Sequence, residues 1–110
     1  MTSLFHITEQ VSWDQAQTNG VYTAPSLETE GFIHLSSRDQ VIGTANRFYQ
    51  GQLGLVLLEI ESDRLQEKLQ YDSVPGHGTF PHLYGPLNLD AVIRTLPLTP
   101  NSDGHFDRWG

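Results

Sequence analysis

The chain has 110 residues, which fits one domain over 1–110, and its 37% hydrophobic and 17% charged content is that of a globular protein. It has no cysteine, which excludes disulfides, thiolate metal sites and a cysteine nucleophile. Thirteen acidic against six basic residues give a formal charge of −7, and the cations Arg38, Arg47, Arg64, Lys68, Arg94 and Arg108 are scattered singly, so the chain is expected to bind no DNA and to disfavour RNA and anionic membrane surfaces.

Leu4–Thr8 reads as a strand, with Phe5 and Ile7 on one face and Leu4, His6 and Thr8 on the other. Ser12 with Gln15 makes a capping-box pattern that opens a helix, and Gly20 closes it. Val21–Ser26 is expected to be extended, because Pro25 pushes Ala24 out of the helical region, and a turn follows over Glu28–Gly31. Phe32–Ser36 is a second strand. Ser37 with Gln40 repeats the capping box and starts a helix to Tyr49, whose apolar stripe is Val41, Ile42, Ala45, Phe48 and Tyr49.

Leu55–Ile60 is a continuous apolar run, which suits a strand covered on both faces. Leu65–Val74 holds a candidate edge strand. Pro75–Pro86, with three Gly and three Pro, reads as a loop. Ala91–Leu98 is a last strand. The tail from about residue 100 is expected to be loosely held, with Phe106 and Trp109 available to dock. The uneven interleaving of strands and helices predicts an α+β fold: a small, twisted, mostly antiparallel sheet with two main helices. No apolar run approaches the roughly 20 residues of a membrane span, and Met1–Phe5 lacks the basic region of a secretory signal, so a cytoplasmic location is expected.

The chemistry concentrates on histidines. His6 and His34 each sit on the polar face of a strand, followed two residues later by a hydroxyl on that face, Thr8 and Ser36. His82 and Tyr84 lie in the Pro-rich segment. An imidazole donates, accepts or carries a proton near neutral pH, so a cleft built from these residues suits a small molecule bearing phosphate or sugar. Two alternatives stand beside it. Each histidine can be a core residue bonded to a backbone carbonyl. The three together can form a metal site, although neither His-x-His nor an i, i+4 pair occurs. No Gly-x-Ser-x-Gly elbow is present.

Two stretches carry a resemblance. Glu30-Gly31-Phe32-Ile33-His34-Leu35-Ser36 and Phe80-Pro81-His82-Leu83-Tyr84-Gly85-Pro86-Leu87 resemble the signatures of a bacterial family, domain of unknown function 952. Phe5-His6-Ile7-Thr8 with Trp13, the stretch from Tyr22 to Ser26-Leu27, and Asp90-Ala91-Val92 are similar too. The resemblance implies a split, twisted sheet like that of ADP-ribosyltransferases and RNA 2′-phosphotransferases, with a nucleotide cleft. It implies NAD or a related nucleotide as ligand, and a transferase-like activity of the ADP-ribosyl or phosphoryl type. His34 and His82 are the implied catalytic residues. His6, Thr8, Tyr22, Ser26, Ser36 and Tyr84 are the implied ligand contacts. Phe32 stands where the phosphotransferases have a histidine, Phe5 where an arginine is expected, and the last strand offers no glutamate. Those departures favour an alternative: a non-catalytic ligand-sensing or partner-binding module on the same fold.

Overall fold

The alternation around His6 forms β1 (Ser3–Glu9), which runs directly into α1 (Gln10–Asn19). The helix starts before Ser12, so the Ser12 capping box is not its beginning. Gln10 N–H donates to Gly54 O at 2.8 Å, which satisfies a first-turn donor without a side-chain cap. Gly20 closes the helix in the left-handed region, φ 86°, as expected. β2 is only Val21–Tyr22, and the expected extended segment and turn become α2 (Pro25–Thr29). Pro25 has the fixed φ that a first helical turn requires, and Ala24 before it remains extended.

β3 (Ile33–His34) is shorter than the predicted strand. The Ser37–Gln40 capping box is present in both halves and opens a 3₁₀ turn, Arg38–Gln40, leading into α3 (Val41–Phe48). Val41 and Ala45 are buried, but Phe48 is 61% exposed, contrary to the predicted stripe. The helix ends there, and Tyr49 packs inward in its place while Arg47 lies 4.6 Å over the Phe48 ring.

β4 (Leu55–Glu61) is buried throughout. β5 (Lys68–Val74) follows, and the expected Pro75–Pro86 loop contains β6 (Gly78–Tyr84) instead. The turn residues are concentrated at 75–78, with Gly76 and Gly78 at positive φ. Within β6, Pro81 has no N–H to offer, yet its carbonyl still accepts the Leu35 N–H at 3.0 Å. β7 (Leu87–Asn88), a 3₁₀ turn and β8 (Val92–Leu98) complete the described residues' regular elements; residues 2–109 are described in this computed structural model.

All strand pairing is antiparallel. One sheet has the order β1-β4-β8, a second β3-β6-β5, and β2 pairs with β7. Residues 33–36 join the two larger sheets. Ile33 and His34 face Leu83 and His82 on β6, while Ser36 exchanges two backbone hydrogen bonds, 2.7 and 2.8 Å, with Phe5 on β1. The result is a small α+β fold with antiparallel sheets and few helices.

β4 has apolar cover on both faces, as its sequence predicts. Val56, Leu58 and Ile60 pack with Leu4, Trp13, Ile33 and Leu83. Leu55 and Leu57 pack on the other side with Phe5, Ile7, Val41, Ala45 and Phe106. Phe106 also fixes the tail, expected to be loosely held: Asn46 accepts its N–H at 2.7 Å and donates to its carbonyl at 2.8 Å. Among the described residues no helix is long and apolar enough to cross a membrane.

Candidate functional site

The register of β3 on β6 sets His34 directly opposite His82. Their rings stand edge to face with centroids 5.2 Å apart. Phe32, just before β3, stacks on the His82 ring at 4.0 Å and 15°, and meets His34 edge-on at 4.9 Å. Phe32 is therefore part of this cluster.

Each histidine has a carboxylate. His34 Nε2 lies 2.9 Å from Glu30 Oε2, with both side chains half exposed. His82 is buried, with Nδ1 2.8 Å from Asp72 Oδ2. Asp72 lies on β5 and also accepts from Gln70 at 2.6 Å and from the Tyr84 hydroxyl at 2.5 Å. Hydrogen bonds from Gln70, then Tyr84 and His82, hold its carboxyl down to about 2. The same carboxylate pushes the Tyr84 phenol up, chiefly because the phenol's proton is held in the hydrogen bond to Asp72, with burial and the carboxylate's charge adding to it. The other ring nitrogen of His82, Nε2, is buried without any hydrogen-bond partner among the described residues.

His6 differs. Its Nδ1 lies 2.6 Å from the His34 carbonyl, which can only accept, so Nδ1 carries the proton. Nε2 is 2.7 Å from Tyr22 Oη, which is also 2.9 Å from Thr8 Oγ1. Burial pushes the ring down to about 4, so it is neutral and Nε2 accepts the phenolic proton. Thr8 then donates to the tyrosine oxygen. Burial raises the Tyr22 phenol to about 12. Every polar atom of this trio is used internally. β1 meets the segment that follows β3 through the antiparallel Phe5–Ser36 bridge alone, and His6 reaches the backbone of His34, not its ring.

A cleft of about 1120 Å³ brings these groups together. His6, Thr8, Tyr22, Ser26, Ser36, His34 and His82 line it, along with Glu30, Phe32, Thr44, Arg47 and Asp72. Tyr84 does not line it and acts on Asp72 from behind. Ser26 donates to the Phe32 carbonyl at 2.8 Å, and Ser36 meets Thr44 at 3.3 Å. Arg47 has no carboxylate partner among the described residues. No group of three or more His, Cys, Asp or Glu side chains there converges as a metal site would require, and both nitrogens of His6 are already occupied, so the three-histidine metal site lacks its geometry.

Asp72, Phe32 and Arg47 are not among the site residues that the sequence predicts, and Glu30 falls in the predicted turn. Asp72 was hidden because the β5–β6 hairpin was read as weak strand plus loop. With the turn placed at 75–77, Asp72 and His82 fall two positions apart on one face of the hairpin, a spacing that would have shown the pair.

The model of the family described as "Protein of unknown function (DUF952)" matches residues 7–95. The chain belongs to this family. Protein CC0527 of Caulobacter crescentus is a similar solved structure. Its crystal structure has a TM-score of 0.88 and 36% identity, covering 96% of this chain and 94% of that one. Its solution NMR structure has a TM-score of 0.83 and 36% identity, covering 97% and 93%. A double mutant of the same protein has a TM-score of 0.88 at 34% identity. No curated protein matches the chain. These relatives share the small α+β fold; their descriptions name no activity, and nothing in them bears on ADP-ribosyl transfer. The family match spans Glu30, Phe32, His34, Asp72 and His82, and begins just after His6.

Proposed function

We propose that the cleft binds a small nucleotide, NAD or a relative of it. The observation that carries this reading is the His34–His82 ring pair, with Phe32 stacked on His82 and edge-on to His34, inside a cleft of about 1120 Å³. That volume exceeds the roughly 300–1,000 Å³ usual for one drug-sized ligand and suits a dinucleotide-sized one. Phe32, Phe80 and Tyr49 give it aromatic surface for a base, and Arg47 and Thr44 give it a cation and a hydroxyl for phosphate. His6, Thr8 and Tyr22 form a fixed wall, Ser26 and Ser36 its hydroxyl lining, and Tyr84 supports Asp72. The transferase-like assignment rests on the carboxylate–imidazole pairs Glu30–His34 and Asp72–His82, which suit holding or moving a proton at a ribose oxygen.

Thermal unfolding with NAD, ADP-ribose and AMP tests the reading. A nucleotide at 100 times its Kd adds about 2.7 kcal/mol of stability. His34→Ala, at a half-exposed side chain, should melt like the parent and lose most of that response. A parent whose melting temperature no nucleotide moves would overturn the proposal. The second reading, a sensing module without chemistry, is favoured by one feature: His82 Nε2 is out of solvent contact. Turnover of a bound nucleotide, followed by product analysis, separates the two.

A further inference from the structure

Resting on the cleft being the ligand site, we infer that His82 Nε2 is an obligate hydrogen-bond acceptor, positioned by Asp72, and that the ligand group seated against it is a neutral donor, a hydroxyl or an amide N–H, and not an anion. Three observations carry this. First, Nδ1 faces a carboxylate oxygen 2.8 Å away, and that oxygen can only accept, so Nδ1 holds a proton. Second, Asp72 is gripped from three sides: Gln70 donates to Oδ1, while Tyr84 and His82 donate to Oδ2. It cannot turn away to free Nδ1, and Phe32, stacked 4.0 Å from the ring, fixes the ring plane. Third, Nε2 is buried with no partner among the described residues. A proton placed there would be a buried N–H donor with no acceptor among the described residues.

An orphan polar atom of this kind is rare in a folded interior. Here it lies on a residue that lines the cleft, which Glu30, bonded to His34, also lines. A bare imidazole lone pair calls for a donor, and an ionised phosphate oxygen offers none. Phosphate belongs instead near Arg47. The donor reaches Nε2 by displacing a neighbour, and His34 is the one with room to move: its ring is half exposed and its polar tie is Glu30.

Ring-nitrogen NMR of ¹⁵N-histidine-labelled protein tests the acceptor directly. The expected result is a neutral His82 ring with the proton on Nδ1 and a bare Nε2. Adding AMP or nicotinamide should shift the Nε2 resonance toward that of a hydrogen-bonded acceptor. If the donor is a hydroxyl, 2′-deoxy-AMP or 3′-deoxy-AMP should bind about 10-fold more weakly than AMP. If it is an amide, nicotinate should bind about 10-fold more weakly than nicotinamide. Asp72→Ala should give a mixture of tautomers and flatten these ratios. Asp72→Asn, whose amide oxygen still accepts from Nδ1, should restore both. Circular dichroism of the two variants, changed on an edge strand, confirms that they are folded. A proton on Nε2 in the free parent, or His34 donating to Nε2 there, overturns the inference. So do equal affinities in all three ligand comparisons. The expected tautomer with no binding of any probe refutes the nucleotide reading and the ligand assignment built on it; a wrong tautomer with nucleotide bound refutes this inference alone.

Discussion

Acid should unfold this protein through His6 before its carboxylates contribute. The ring is buried between β1, the His34 carbonyl and Tyr22, and burial lowers its pKa from 6.5 to about 4. Between those values the unfolded chain holds a proton that the folded chain refuses. Stability is therefore fully present above pH 6.5 and is lost as the pH falls toward 4. Each pH unit inside the window costs about 1.4 kcal/mol, so going from pH 7.5 to pH 4.5 removes about 2.5 kcal/mol through this one ring. The carboxylates act lower down. Asp72 is held at about 2; Glu59, although burial opposes it, is drawn below 4.5 by hydrogen bonds from Arg94 and Ser3. Their contributions begin to fall only as the pH approaches the unfolded values of 4.5 and 3.8, at the acid end of the window, and most of the loss lies below it. Urea unfolding at half-unit pH steps, on the parent and on His6→Gln, isolates the effect, because the other histidines are common to both. Glutamine can donate to the His34 carbonyl and accept from Tyr22 without titrating. The variant should start less stable at pH 7.5 and lose about 2.5 kcal/mol less on acidification. Parallel pH profiles for parent and variant would refute the assignment of His6 as a buried neutral ring.

Two further outcomes test the packing. Leu57→Ala, at a fully buried position on the central strand, should cost about 2–5 kcal/mol, a large share of the roughly 5–15 kcal/mol that such domains possess; a loss under 1 kcal/mol by urea titration would show that the second core cluster is misassigned. Asn46→Ala removes both hydrogen bonds that hold Phe106, with an expected cost of about 1–3 kcal/mol and faster chymotrypsin cleavage at Phe106. Cleavage at the parental rate would mean that the tail is held by its aromatic contacts alone.

What was legible in the sequence is what local periodicity encodes. The alternation in β1, the unbroken apolar run of β4 and the Ser37–Gln40 box each predicted their element, because each depends on neighbours a few residues away. The failures occurred where a partner distant in sequence decides. Ser12 looked like a cap, but Gly54 supplies the acceptor that lets α1 begin earlier. Pro81 looked like a strand breaker, but β6 needs only its carbonyl on the β3 side. Missing β6 hid Asp72, since a carboxylate on one strand of a hairpin is paired with an imidazole only once the turn has fixed the register. The histidines themselves were legible as a set, and their unequal environments were not.

That inequality separates architecture from function in this cleft. Both His6 and His82 are buried, and each is tied at Nδ1 to an oxygen that can only accept. At His6 the chain continues through Tyr22 to Thr8 and closes, leaving no polar atom to spare. At His82 it stops at Nε2. His34 belongs to both systems. Its carbonyl anchors His6, and its ring stands against His82. The backbone of residue 34 is thereby fixed from the β1 side by His6 and from the β6 side by the strand ladder, while its side chain stays half exposed at the cleft. A closed network on one side of a residue and an open one on the other make that residue a rigidly mounted, movable group. This is why substitution at His6 should register in stability and substitution at His34 in ligand response.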